Sequence, residues 1–179
     1  MTAQYIITAA RERDLGLLAA IELAAANLLT GHAPDSVLKE TTSRDDLETA
    51  RRDGHLWVAL AGDAPVGFAH VKVIEPNAAH LQEVDVLPAH GRRGVGTRLV
   101  MQVCEWAGVA GYKSVSLTTF RDVPWNMPFY ERLGFRVVPD FNIGPALRRV
   151  LNDEFERGLD SSRRVAMRRP TKTGSPLNR

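Results

Sequence analysis

Apolar and polar positions follow three different rhythms along this chain, and each rhythm predicts an element. Gln4–Ala10 (QYIITAA) reads as a short strand. Arg13–Leu29 then places Leu15, Leu18, Ile21, Leu23, Ala25 and Leu28 at helical spacing, until the turn-rich stretch TGHAPDS (Thr30–Ser36) interrupts it. Thr41–Gly54 predicts a more polar helix, with Ser43 as its N-cap, Asp46 three positions on and Gly54 at its end. Three strand-like runs follow: HLWVALAG (His55–Gly62), APVGFAHVKVIE (Ala64–Glu75) and AHLQEVDVLP (Ala79–Pro88). GDAP (Gly62–Pro65) joins the first two as a hairpin turn, and Pro88 closes the third.

From Val95 the period changes. Leu99, Val100, Val103, Trp106 and Ala107 share one helical face, which ends near Gly108–Gly111. Ser114–Phe120 is a strand, Asn126–Phe135 a short helix stopped by Gly134, and Phe135–Asp140 another strand. Pro145–Leu159 is helical, with Pro145 in its first turn and Gly158 at its end. Arg163–Arg169 is a last strand. The order of elements gives an α/β or α+β class around one central sheet, as a single domain over 1–169 with a loose tail at 170–179.

Composition narrows the function without naming it. The 179 residues are 44% hydrophobic and 25% charged, as in ordinary globular proteins. Lysine and arginine (23) nearly balance aspartate and glutamate (21), so no global field marks a nucleic-acid binder. The basic excess is local: 145–179 holds eight arginines and one lysine against four acidic residues, but no aromatic residue interleaves the RRVAMRRPTK stretch. One cysteine, Cys104, excludes an internal disulfide framework and fits a reducing compartment; it falls in the helix after Val95, as a packing residue. The N-terminal stretch lacks the pattern of a signal peptide, and no apolar run is long enough to cross a membrane. A cytoplasmic protein is expected, with no membrane partner.

The distinctive chemistry lies in LPAHGRRGVGTRLV (Leu87–Val100), where glycines at 91, 94 and 96 sit among three arginines at a strand-to-helix junction. Gly91 and Gly96 have the spacing of a nucleoside-triphosphate loop, but Thr97 and Arg98 follow where a lysine is needed. Gly94 and Gly96 open a dinucleotide fingerprint that fails at Leu99. What remains is a bend whose N–H groups and helix N-terminus suit a pyrophosphate, with Arg92, Arg93 and Arg98 around it.

RRGVGTRL after VDVLP resembles motif A of the GCN5-related N-acetyltransferase (GNAT) superfamily, Gln/Arg-x-x-Gly-x-Gly/Ala. FYERLGF (Phe129–Phe135) is similar to motif B, and the element order agrees over roughly residues 3–140. The first position of the pattern is Gly91 here, where Gln or Arg is usual, and Arg92 is placed to replace that contact. The resemblance implies a mixed, mostly antiparallel sheet of about seven strands flanked by helices, split into a V between strands 4 and 5. It implies acetyl-CoA as co-substrate, held by Gly91, Arg92, Arg93, Gly94, Val95, Gly96 and Thr97, with backbone groups of Val84 and Val86 in the split. The Val86 amide polarises the thioester carbonyl in this family. It also implies that Tyr130 protonates the departing thiolate. The asparagine that often contacts the coenzyme lies seven residues before that tyrosine, where this chain has Val123. Asn126 is placed either near the coenzyme or, more simply, as the cap of its helix.

An acceptor amine must lose a proton before it attacks, so a base is required. By alternation, Leu81, Glu83 and Asp85 share one face of their strand, while Gln82, Val84 and Val86 share the other, unless a bulge shifts the pattern near Asp85. Glu83 is the first choice of base and Asp85 the second; the alternative is that both are solvated. His32, His55, His70, His80 and His90 show no metal-ligand spacing, and no metal is expected. Trp57 and Trp106 read as core. Trp125 is placed either to line the acceptor pocket or to pack, and Asn27, His32 and Asp35 are the polar candidates for the acceptor wall. The leading expectation is direct acetyl transfer to a primary amine, a small molecule first and a peptide or protein amine second. A non-catalytic acetyl-CoA sensor and, more remotely, a nucleic-acid binder are the competing classes. A monomer and a homodimer both fit.

Overall fold

The computed structural model describes residues 4–172. Seven strands form one sheet in the order β1-β2-β3-β4-β5-β7-β6. They are β1 (Tyr5–Ala9), β2 (Leu56–Ala61), β3 (Ala64–Glu75), β4 (Ala78–Val86), β5 (Ser114–Phe120), β6 (Arg136–Val137) and β7 (Arg164–Pro170). Every neighbouring pair is antiparallel except β4 and β5, which run parallel. A parallel pair needs a crossover, and helix α4 (Val95–Val109) supplies it.

The β4–β5 pairing is short. Ala78, Ala79 and His80 pair with Ser114, Val115 and Ser116, and there the ladder stops. β4 runs on to Val86 against β3, while β5 runs on to Phe120 against β7. The sheet therefore opens into the expected V between its fourth and fifth strands.

Two apolar layers clamp the sheet. On one face Leu99, Val100, Val103 and Ala107 of α4 pack on Trp57, Ala69, Val71, Leu81, Val115 and Met167. Cys104 is buried in this layer and Trp57 is part of it, with Trp106 packed against its edge. On the other face α1 (Leu15–Ala26) and α3 (Arg44–Arg52) cover Leu56, Val58, Leu60 and Phe68 with Leu15, Leu18, Ile21 and Leu47. Leu23 and Leu28, counted in the apolar stripe of the first helix, face outward. Ser43 caps α3 as expected, its hydroxyl accepting from the Asp46 amide at 3.1 Å.

Local differences have local causes. TGHAPDS is not wholly loop, because a four-residue helix α2 (Asp35–Leu38) begins after Pro34. The strand expected over Phe135–Asp140 is only two residues long, and Pro139 opens a 3₁₀ turn at Asp140–Asn142. Between β6 and β7 helix α6 (Pro145–Glu156) returns across the sheet on the side of α1. The tail expected from residue 170 starts later: Pro170 pairs with Ser114, and the Thr171 amide donates to the Lys113 carbonyl. Residues 173–179 lie outside the described ones.

Candidate active site

The site forms where β4 ends and α4 begins, with helix α5 (Asn126–Arg132) packed against the start of α4. At the loop, Leu87 donates its amide to Val66, a 3₁₀ turn spans Pro88–His90, and the Gly91 amide donates to Pro88 at 3.0 Å. Arg92 then takes φ 56° and Gly94 takes φ 78°, two left-handed residues that swing the chain into α4. Among the described residues, the six N–H groups from Arg92 to Thr97 have no protein acceptor; the first loop-to-helix bond is Arg98 to Gly94 at 3.0 Å. A helix N-terminus and a string of unsatisfied amides make an anion cradle of the kind a pyrophosphate fills. The loop's free amides therefore suit the pyrophosphate of a coenzyme.

Arg92 and Arg93 are exposed beside the cradle. Arg98, expected with them, is used elsewhere: its guanidinium donates to the Tyr5 carbonyl at 2.7 Å. The Tyr5 hydroxyl meets His90 Nδ1 at 3.0 Å, so β1 holds both sides of the bend in place. A side chain at Gly96 would come 3.6 Å from Phe129 and 3.8 Å from Val86, which shows how closely α4 sits on α5 and on the end of β4.

The alternation along β4 is broken. His70 pairs with Glu83 but the next residue, Val71, pairs with Leu81, so Gln82 is bulged out of register. The consequence corrects the expected faces: Leu81 points to the α4 layer with Val84 and Val86. Gln82 instead lines a depression under α6. Glu83 and Asp85 do share a face, the one covered by α1. Because Leu87 bonds to β3 and a strand presents alternate residues to opposite edges, the backbone groups of Val86 and Val84 point into the split.

On that face the structure brings in a residue the sequence reading missed. Glu22 of α1 joins Glu83 and Asp85, with one oxygen of each lying within 4.8 Å of the others. Thr42 fixes Glu22, its amide donating at 2.8 Å and its hydroxyl at 3.2 Å. A signal was present: Glu22 falls four residues after Leu18 and seven after Leu15, inside the buried stripe of α1, where a carboxylate is out of place.

Burial, and then the neighbouring Glu22 charge, pushes the Glu83 carboxyl up to about 7, against a hydrogen bond from Asp85 and the charges of Arg157 and Arg164. Burial raises Asp85 well above the carboxylate range, and the Glu83 and Glu22 charges add to it. One of its oxygens, Oδ2, is buried with no hydrogen-bond partner. Burial also raises Glu22, opposed by its Thr42 bonds and Arg157. The Tyr130 phenol is held above its usual value by burial first, then by Glu83 and Asp85. The three carboxylates could also ligate a hard cation, since they offer only oxygen.

Asn126 does not cap its helix. Trp125 already has helical angles, so Asn126 is the first helical residue, its amide donating to Val123 at 3.1 Å. Val123 is fully buried in a small cluster with Phe120 and Leu159. Trp125 is half exposed and meets His32 edge to face, ring centres 5.7 Å apart, which joins two of the residues expected in the acceptor wall. Arg163 anchors that corner, donating to the His32 carbonyl at 2.7 Å and to Asp122 at 2.6 Å. Asn27 and Asp35 are exposed. The depression of about 370 Å³ between α6 and β3–β4 is lined by Gln82, Lys72, Arg149 and Arg157, with Ile74 and Val150 as its apolar floor.

Comparison with known proteins agrees with this geometry. Residues 23–135 match the family model described as the acetyltransferase (GNAT) family. A Bacillus subtilis relative named as an uncharacterized N-acetyltransferase, YvbK, is 25% identical over 128 residues, 70% of this chain and 80% of that protein. The PaiA N-acetyltransferase of Thermoplasma acidophilum, solved in complex with coenzyme A, has a similar fold with TM-score 0.72 at 16% identity, over 93% of this chain and 99% of that one. N-acetylglutamate synthase from Neisseria gonorrhoeae, complexed with coenzyme A and N-acetyl-glutamate, gives 0.70 at 20% identity, over 96% of this chain and 36% of that one.

Proposed function

The chain belongs to the acetyltransferase (GNAT) family and is an N-acetyltransferase, and from that premise we propose that it transfers acetyl from acetyl-CoA directly to a primary amine of a small molecule, with both substrates bound at once. The observation that carries the reading is the Glu83–Asp85 pair beside Tyr130 at the open end of the split. A base that titrates near neutrality and a phenol that keeps its proton are the two groups amine acylation requires, one to take a proton and one to give it.

Coenzyme A brings a thioester-activated acetyl group; the chain's own residues do the rest. Amides from Arg92 to Thr97 bind the pyrophosphate, the Gly91 amide being taken up by the Pro88 carbonyl, with Arg92 and Arg93 beside it, and Asn126 offers a further polar contact from α5. The Val84 and Val86 backbone groups line the split, where the Val86 N–H stabilises charge developing on the carbonyl oxygen. Glu83 takes the proton of the acceptor ammonium, with Asp85 holding and orienting it. Tyr130 gives its proton to the leaving sulfur. Two of the structurally similar proteins hold coenzyme A, which supports the same ligand here. The buried, single cysteine favours a reducing, cytoplasmic setting.

Initial-rate measurements of thiol release from acetyl-CoA, with a panel of primary amines, test the proposal. Intersecting double-reciprocal lines are expected for direct transfer. Parallel lines would mean an acetyl-enzyme intermediate, and coenzyme binding without turnover of any amine would favour a sensor.

A further inference from the structure

Glu22 has no part in the mechanism above, yet its carboxylate faces the same space as Glu83 and Asp85. We propose that Glu22 is a specificity-determining residue: with Glu83 and Asp85 it forms a three-carboxylate cradle that takes the acceptor as an aliphatic ammonium ion and discriminates against amines uncharged at neutral pH. This rests on the transferase reading and deepens it by naming the chemical class of acceptor.

Geometry is the first argument. An ammonium head is a compact charge with three diverging N–H donors, and three carboxylate oxygens within 4.8 Å of one another offer it three acceptors. Thr42 holds Glu22 by both oxygens at 2.8 and 3.2 Å, so the third acceptor is in place before anything binds. Each of these oxygens keeps a second lone pair for the ligand.

The second argument is what the cluster lacks. The nearest guanidinium groups are engaged elsewhere, Arg157 with Glu40 and Arg164 with Glu154 at 2.8 and 2.9 Å. Among the described residues no arginine or lysine forms an ion pair with Glu22, Glu83 or Asp85. The buried Asp85 Oδ2 accepts no hydrogen bond at all. An acceptor atom sealed from water without a donor costs free energy that a bound cation recovers. Three acidic groups facing one space, none of them in an ion pair among the described residues and with Arg157 and Arg164 acting only from beyond hydrogen-bond reach, are what a cationic ligand completes and a neutral one leaves strained.

The location supports the same occupant. α1 carries Glu22 onto the face of β4 where the bulge at Gln82 turns Glu83 and Asp85, at the open end of the V. A nitrogen in the cradle is therefore next to the base that must deprotonate it, and beside Tyr130. Glu22 binds the cation while Glu83 removes its proton, so charge recognition and base are separate groups.

The test compares benzylamine, a cation at neutral pH, with benzyl alcohol, its uncharged counterpart of nearly the same shape. Calorimetry on the full chain saturated with coenzyme A is expected to show benzylammonium binding and little alcohol binding. Glu22→Gln keeps an oxygen for the Thr42 amide. It is expected to weaken benzylammonium about tenfold, the size of a lost hydrogen bond to a charged group, with coenzyme affinity unchanged. In turnover, KM for benzylamine should rise by the same factor with kcat changed less than about threefold, while KM for aniline stays fixed. Equal binding of amine and alcohol by the native chain would overturn the proposal. So would Glu22→Gln that leaves benzylammonium affinity intact or weakens both probes alike. Manganese binding that needs Glu22 and that benzylammonium does not displace would make the cluster a metal site instead. A native chain without coenzyme affinity would sink the transferase reading alone, since the same calorimetry on the unliganded chain still decides what Glu22 recognises.

Discussion

Glu83 is an ordinary carboxylate made basic by where the chain puts it. Burial and Glu22 push it up to about 7, and Asp85 shares its proton, so the titration belongs to the pair. A base works unprotonated, so kcat/KM is expected to rise with pH through about 7. Glu83→Gln should flatten that limb more than Asp85→Asn does, and the opposite ranking would give the role to Asp85. Stability carries the same signature with the opposite sense. An acid whose folded value is raised favours folding below its unfolded value near 4.5 and loses that contribution as pH climbs to about 7. Relative to Glu83→Gln, the native chain should therefore become less stable between those limits in denaturant titrations, and change no further above them. Tyr130→Phe should lower kcat roughly 10²-fold, the scale of a lost general acid, without altering coenzyme affinity. Glu83 and Asp85 could be singled out from a strand pattern two residues apart, and Tyr130 from a helix motif of its own. Glu22 was legible only as a carboxylate out of place in the buried stripe of its helix; its role was not, because its partners lie about sixty positions further on and meet it only once the helix is docked.

The elements owe their positions to a few backbone decisions, and those are where alternation stopped being a guide. The hairpin of β2 and β3, the crossover α4 and the order of the sheet follow from period and turn residues. The bulge at Gln82 does not, because nothing in HLQEVDV distinguishes a strand with one extra residue from a regular one. Its effect is to put Leu81 and Val84 on the same face, and so to send the carboxylates to the face of α1. Gly67 sits opposite Val86 just beyond it, and an added Cβ would lie 2.7 Å from the Asp85 carbonyl oxygen. Backbone cannot yield as a side-chain tip can, so Gly67→Ala must part β3 from β4 beside the base. A loss of about 1–3 kcal/mol, as for other overpacked sites, is expected in chemical denaturation, with kcat/KM falling alongside. An unchanged midpoint would show that the two strands have slack there. Gly94 makes the contrasting case. A Cβ there meets nothing within 4 Å, so space is not the constraint; φ 78° is. Gly94→Val should fold but pull the bend away from its left-handed turn, which a β-branched residue resists. Coenzyme affinity should then drop at least about tenfold in calorimetry, for a strain of roughly 1–2 kcal/mol.

At the scale of the whole molecule, the V stays open because different supports hold its two arms. β4 leans on β3 and α1, whereas β5 is carried by β7 and fastened to α6. The fastening is one nearly buried cluster: Glu154 of α6 accepts from Arg164 of β7 at 2.8 and 2.9 Å and from the Thr118 hydroxyl of β5, with the Arg164 guanidinium 4.5 Å above the Phe120 ring centre. Side-chain exposures of 10% and 11% place this pair in the regime where removing one partner strands a charge. None of it is visible as a motif, since the three polar residues come from three elements and each looks like an exposed position on its own. Arg164→Met should therefore cost about 3–5 kcal/mol in denaturant titration, while the double change Arg164→Met with Glu154→Leu should return most of that, because an apolar pair leaves nothing uncompensated. The single change also removes a positive charge that opposes the rise at Glu83 and Tyr130, so the pH–rate limb should move upward. In the double variant that limb should remain displaced even as stability recovers, because the arginine is still missing. A limb that returned with stability would mean that Arg164 acts on the site only by holding α6 in place, and that its charge is too well screened to reach the split.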